Sequence, residues 1–225
     1  MWGVIDELPR FFSFYNLLFL AQAIGMTLTL SILGCLLGYL AGFGIALVRT
    51  RQLIDIAPLR WAAVTFVETV RRLPFLVLLF LVMFGFQAAG FILSSFMIAL
   101  LAVFLRTAAV GSETIRGGLD SVHPTQWDAA VTMNLPRLVQ LRSIILPQAW
   151  RVILPPSLVQ FVQLMKSTSI ASQFSVVELT YAGKILNQKG FSAILSYGTV
   201  LVLYYILCLI AEKLIQRLEK RLVLS

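Results

Sequence analysis

Residues Leu73 to Leu105 read LPFLVLLFLVMFGFQAAGFILSSFMIALLAVFL, thirty-three positions without a charged side chain. A bilayer core is crossed by ~20 apolar residues in a helix, so this run is too long for one straight span and too apolar for a soluble fold. Gly85 and Gly90 flank its one plausible reversal, which divides it into two helices at 74–88 and 91–112. Uncharged stretches from Phe11 to Val48 and from Gly190 to Ala211 repeat the pattern on either side. Across all 225 residues, 59% are hydrophobic and 12% charged, against roughly a quarter charged in soluble domains. The chain therefore reads as one all-α, integral membrane domain over residues 1–225, with five transmembrane helices.

The remaining spans follow from the same rule. The first covers about 17–48 and stops at Arg49 and Arg51, and the fourth and fifth cover about 152–172 and 191–211. Pro155 and Pro156 stand near the start of the fourth. Arg10, the apolar Phe11 to Leu20 and Ala21-Gln22-Ala23 resemble a signal peptide with its cleavage site. The hydrophobicity continues through Gly25 to Val48 with no polar break, and Asp6 and Glu7 spoil a basic leader, so an uncleaved first span is expected. Between Asp55 and Arg72, Ile56, Leu59, Ala63, Phe66, Val67 and Val70 recur at helical spacing among charged residues, which suits a helix lying in the interface.

The net charge of +8 is a topology signal before it is a nucleic-acid signal, and no basic run of five occurs. With the N-terminus outside, thirteen lysines and arginines fall inside and only Arg10, Lys184 and Lys189 outside, leaving Arg106 and Lys166 within spans. The segment Glu113 to Arg151 is then cytoplasmic. Cys35 and Cys208 sit in apolar surroundings without metal-ligand spacing and read as small buried hydrophobes.

Inside that segment, Thr125-Gln126-Trp127-Asp128 has the form of a capping box that opens a short helix at Gln126. The helix is expected to stop at Asn134, which tolerates a left-handed C-terminal position, and Pro136 suits the start of a second helix to about Ile145. The result is a helix-turn-helix at 125–147.

These residues resemble a known pattern. Asp128-Ala129-Ala130, three residues, Asn134, nine residues and then Ile144-Ile145-Leu146-Pro147 is similar to the EAA loop of bacterial ABC importer permeases, E-A-A-x3-G-x9-I-x-L-P. Asp128 replaces Glu and Asn134 replaces Gly. Further stretches, namely Phe66 to Pro74, Glu113 to Gly118, Leu146 to Ala149, Lys166 to Ser172 and Val177 to Thr180, resemble the polar amino-acid branch, the His/Glu/Gln/Arg/opine permeases, with glutamate/aspartate permeases as near relatives. The resemblance implies a type I importer transmembrane domain in the bacterial inner membrane, moving a polar amino acid by alternating access. It implies a second permease subunit, identical or not, an extracytoplasmic amino-acid-binding protein, and a cytoplasmic ATP-binding subunit whose cleft holds Asp128, Ala129, Ala130, Asn134, Ile144, Leu146 and Pro147. A permease for methionine or another small solute, and a non-transporting membrane scaffold, are the alternatives.

No phosphate-binding G-x-x-x-x-G-K-[ST] occurs, and Gly183-Lys184 lacks the glycine it would need, so ATP and magnesium belong on a partner and no cofactor on this chain. The sole histidine, His123, reads as a solvated loop residue; no catalytic set and no metal site is expected. Arg106 and Lys166 are costly at membrane depth. They either snorkel to headgroups or line a substrate path, with Arg106 leaning toward acidic substrates. Gln160, Gln163, Ser167, Thr168 and Ser169 add hydrogen-bonding groups beside Lys166, for the path or for helix contacts. Gly34, Gly38, Gly42 and Ala46, every four positions, suggest close helix packing.

Overall fold

A computed structural model describes residues 2–223, with side chains between 7 and 217, so Lys220 and Arg221 of the basic tail lie outside the described side chains. Every regular element among the described residues is helical. The α-helices are α1 (Trp2–Phe11), α2 (Phe14–Arg49), α3 (Ala57–Arg72), α4 (Phe75–Ala88), α5 (Ser95–Asp120), α6 (Pro124–Thr132), α7 (Arg137–Val139), α8 (Leu146–Ser167), α9 (Leu179–Gln188) and α10 (Ala193–Val223). A π-helical turn, Gln140–Ile145, joins α7 to α8, and a 3-10 segment, Thr168–Phe174, follows α8.

Three of these, α2, α5 and α10, are long and apolar enough to cross a membrane, or four if the broken pair α3 and α4 counts as one span. Helix α4 alone covers about 21 Å at 1.5 Å per residue, short of a ~30 Å hydrocarbon core. The boundaries expected from sequence shift in three places. Helix α5 does not stop at Ser112 but runs to Asp120, because Arg116 pairs with Glu113 three residues before it and with Asp120 four residues after it, spacings that stabilise a helix. The arm after Pro136 does not end at Ile145; the π turn carries it into α8. Pro147 has no N–H for the preceding turn and its ring crowds the carbonyl four residues back, and a widened turn relieves both. Pro155 and Pro156 consequently lie well inside α8 rather than at its start, and that helix ends at Ser167 instead of Ser172.

The reversals use one device. At Gly90 (φ 84°) the residue's own N–H donates to Gln87 O at 3.0 Å and the next N–H, of Phe91, to Phe86 O at 2.9 Å. Gly190 (φ 96°) repeats it with Asn187 and Leu186. This paired closure satisfies the last carbonyls of a helix and requires a left-handed residue.

Backbone contacts divide the chain into two compact units. The first comprises the segments up to Gly34, Pro74–Val103 and Val162–Lys213. Its core includes Phe11, Leu20, Ala23, Ala182 and Leu186, with Phe191 set edge-on against Phe11. Glu7 accepts from the Ser192 N–H at 2.8 Å and so ties α1 to the start of α10. Glu178, fully buried, caps α9 by accepting from the N–H groups of Thr180 and Tyr181.

The second unit comprises Cys35–Leu73, Phe104–Phe161 and the chain from Leu214 onward. The small residues of α2 do what their spacing suggests. A Cβ on Gly38 would lie 2.5 Å from Thr107 Cβ, and one on Gly42 would lie 2.9 Å from both Ala108 O and Ser112 N, so backbone meets backbone there. On α5, Gly118 admits Ile153 of α8 in the same way. In the first unit Gly34 likewise admits Val103.

Candidate functional site: the loop between α5 and α8

The loop is built on an apolar base. Ile115 and Leu119 of α5, Val122, Trp127 of α6, Leu141 and Ile145 of the π turn and Ala149 and Ile153 of α8 form one buried cluster, joined by Ala46 and Leu53. Trp127 and Ala130 stand three apart and share the inward face of α6. Ala130 is fully buried, and Ala129 is exposed beside the exposed Asp128.

The start of α6 also differs from expectation. Pro124 occupies the first turn, where a missing N–H costs nothing, and the cap moves back to His123, whose Nδ1 accepts from the Thr125 N–H at 3.3 Å. Thr125 is therefore not the cap, Asp128 does not reach back, and His123 has a structural task. The end of α6 is as expected. Asn134 has φ 51°, its N–H donates to Val131 O at 2.8 Å, and the Leu135 N–H donates to Ala130 O at 3.2 Å. The buried Gln140 then donates to Leu135 O at 2.7 Å, fixing the turn before Pro136.

A hollow of about 360 Å³ opens here, lined by Gln52, Trp127, Asp128, Val131, Asn134, Leu135, Arg137 and Gln140. Its rim carries the Asp128 carboxylate and two residues absent from the sequence-derived set, Arg137 and Gln140. Arg137 could not be found from its neighbours, because its partner is Leu53 O, far away in sequence. Of the other sequence-derived residues, Ile144 and Leu146 are half-buried against the apolar cluster and Pro147 is exposed.

The polar residues proposed for a path divide between the units. Arg106 and Gln160 belong to the second and are half-buried. Gln160 accepts a hydrogen from the Tyr39 hydroxyl of α2 and donates to Thr114 Oγ1 of α5 at 2.7 Å, so it links three helices. Gln163, Lys166, Ser167, Thr168 and Ser169 belong to the first. There Gln163 and Lys166 are exposed, Thr168 is fully buried, and the three hydroxyls donate to backbone carbonyls of Gln163, Met165 and Lys166 at 2.7–2.9 Å. Those bonds turn the end of α8 into the 3-10 segment. Among the described residues no group of His, Cys, Asp and Glu is placed to hold a metal.

Residues 38–224 match the family described as the binding-protein-dependent transport system inner membrane component. The chain belongs to this family. The inner membrane component is thus a multi-pass protein of the inner membrane, and ATP hydrolysis belongs to a partner subunit. Two relatives in Bacillus subtilis are each 34% identical to it. The probable amino-acid ABC transporter permease protein YckA aligns over 90% of this chain and 88% of its own length. The L-cystine transport system permease protein TcyB aligns over 98% and 91%. A crystal structure of an amino acid ABC transporter with histidines is similar in fold, with a TM-score of 0.82, 28% identity, and coverage of 90% of this chain and 94% of that one.

Proposed function

We propose that this chain is the permease subunit of an ATP-binding-cassette importer that carries a polar amino acid across the inner membrane by alternating access. The observation that carries the reading is the family match, which spans the loop and the polar end of α8 alike. The relatives named for amino-acid and L-cystine transport favour an amino acid over another small solute or a scaffold. The exposed pair Asp128 and Ala129, raised on a buried apolar base beside a hollow, suits insertion into the cleft of a cytoplasmic ATPase subunit. Ala130, Asn134, Ile144, Leu146 and Pro147 complete the set assigned to coupling with that subunit, Asn134 and Pro147 on the loop's exposed side and Ala130, Ile144 and Leu146 packed toward the base. ATP and magnesium reside on the ATPase, an extracytoplasmic binding protein delivers the amino acid, and a second permease, identical or not, completes the pathway. We assign five crossings from the apolar runs, α4 being a short one, and place the N-terminus outside and residues 125–147 and the C-terminus in the cytoplasm from the excess of inner lysine and arginine. Arg106, Gln160, Gln163, Lys166, Ser167, Thr168 and Ser169 supply polar groups along the route.

Vesicles rebuilt with the permease, its ATPase and its binding protein should accumulate labelled amino acid in the presence of ATP. A scaffold would assemble the same complex and accumulate nothing. Asp128→Lys should abolish retention of the ATPase in a pull-down, and unchanged retention together with unchanged uptake would remove the loop from its assigned role.

A further inference from the structure

Three arginines from three helices meet one carboxylate at the end of α5. Glu113 Oε2 lies 2.8 Å from Arg49 Nη1 of α2 and 3.5 Å from Arg71 Nη1 of α3, and Oε1 lies 2.6 Å from Arg116 Nη2 of α5 itself. Arg116 is shared with Asp120. Arg49 also donates to Ser112 Oγ at 3.4 Å. From α3, Glu68 pairs with Arg72 at 2.8 Å and lies within electrostatic reach of Arg116.

The contacts are unequal. The Arg49 side chain is only 6% exposed, and a buried charge deprived of its partner is strongly destabilising, so the Arg49–Glu113 pair is the fixed part of the arrangement. Arg71 is 38% exposed and its contact is longer, so it is the part that can be removed without unfolding the rest. Of the sixteen residues of α3 only Val67 and Val70 are buried, while Leu59, Ala62, Ala63 and Phe66 line an open apolar groove with α2, so the ion pair adds a fixed point at the C-terminal end of the helix. The ion pair stands one residue beyond Val70.

Glu113, Arg116 and Asp120 form one stripe of α5, while Ile115 and Leu119 form a neighbouring stripe packed with Trp127, Leu141 and Ile145. The same helix end thus holds the loop on one side and α3 on the other. We propose that Glu113 is a positioning residue for transport: it seats α3 on α5, so that α3 follows the loop when the loop is moved. The transport role rests on the function proposed above; the seat rests on the ion pairs alone.

The complete complex in lipid nanodiscs or vesicles tests both parts through two readouts, backbone hydrogen exchange over residues 57–72 and amino acid accumulated per ATP hydrolysed. Arg71→Gln should lower protection of 57–72 and the uptake ratio by about threefold, as the loss of a half-exposed ion pair gives, whereas Glu113→Gln, which also strips buried Arg49 of its partner, should lower protection beyond 57–72 as well. Arg71→Lys should recover most of both, and the ATPase should remain bound in both Arg71 variants. Arg71→Gln leaves Arg49, Glu113 and Arg116 in place, so its effect is not one of general unfolding. Unchanged protection of 57–72 in Arg71→Gln would overturn the seat, and lost protection with an unchanged uptake ratio would overturn its role in transport. Exchange needs no transport to be read. Wild-type vesicles that accumulate no amino acid would defeat the transport reading and with it the role of Glu113, while the seat itself would still be decided by exchange.

Discussion

Arg137 donates a guanidinium hydrogen to the backbone carbonyl of Leu53 at 2.9 Å, across 84 positions of sequence. The carbonyl belongs to the turn that follows α2, where no helical partner exists for it, and the arginine belongs to the first turn after Pro136. One charge-assisted bond therefore joins the loop to the α2–α3 connection. Arg137→Ala should lower stability by about 1 kcal/mol, below the ~1.5–3 kcal/mol of buried bonds to charged groups because the side chain is exposed. Arg137→Lys should recover part of the loss, since an ammonium can reach the carbonyl but lacks the planar fork. Unfolding of the purified permease in mixed detergent micelles measures both, and an alanine variant as stable as wild type would show that water replaces the bond at no cost.

The left-handed residue at Asn134 makes a sharper prediction. Asn134→Gly should be neutral or slightly stabilising, because glycine reaches φ 51° without a Cβ clash. Asn134→Val should cost about 1–2 kcal/mol or more, since a β-branched residue is forced into a region that L-residues avoid. The loss should appear both in detergent unfolding and as weaker ATPase retention, because the turn sets the angle at which α6 stands. Equal stability of the glycine and valine variants would mean that the turn opens in solution.

How far the fold was legible depends on whether the deciding signal was local. Asn134, Gly90 and Gly190 end helices through backbone conformation that a few residues settle among themselves, and Gly34, Gly38 and Gly42 announce close packing by spacing alone. Where two local signals competed, the weaker one misled. Thr125 and Asp128 have the spacing of a capping box, but Pro124 claims the first turn and passes the cap to His123. Charges at Glu113, Arg116 and Asp120 resemble the end of a span, yet their spacing pairs them along a continuing helix. Pro147 resembles a stop, yet a π turn absorbs it. The Arg137 bond, the meeting of Arg49 and Arg71 at Glu113, and the place of Gln160 between Tyr39 and Thr114 join residues far apart in sequence, and no window along the chain contains both partners.

Gly42 and Gly44 offer a controlled comparison on one helix. An alanine at 42 would place its Cβ 2.9 Å from backbone atoms of α5 that cannot rotate away, whereas nothing lies within 4 Å of a Cβ at 44. Gly42→Ala should therefore separate α2 from α5 and cost about 1–3 kcal/mol, the usual range for overpacking. Gly44→Ala should leave stability unchanged or raise it by up to about 1 kcal/mol through the better helix propensity of alanine. Thermal unfolding of the two variants in one detergent gives the comparison directly, and a Gly42→Ala protein that melts with wild type would mean the helices part at no cost.

Glu178 and Tyr204 test whether a buried carboxylate serves the fold chiefly as an acceptor. Three donors converge on it, the N–H groups of Tyr181 and Thr180 at 2.8 and 3.0 Å and the Tyr204 hydroxyl at 2.7 Å, and the side chain is fully buried. The neighbouring Leu179 N–H is taken by Thr27 Oγ1 at 3.2 Å, so the start of α9 is satisfied from two sides. Glutamine has the right shape but one acceptor oxygen, and its NH2 would face a donor. Glu178→Gln should thus cost about 1–3 kcal/mol although it removes no volume, and Tyr204→Phe should cost a similar amount by withdrawing a donor to a buried oxygen. If the hydroxyl and the carboxyl act as a pair, the double variant should lose less than the two single losses combined, with a coupling of about 0.5–3 kcal/mol in a double-mutant cycle. Strict additivity would mean that the tyrosine is held by its packing and that the α9 cap does not depend on it.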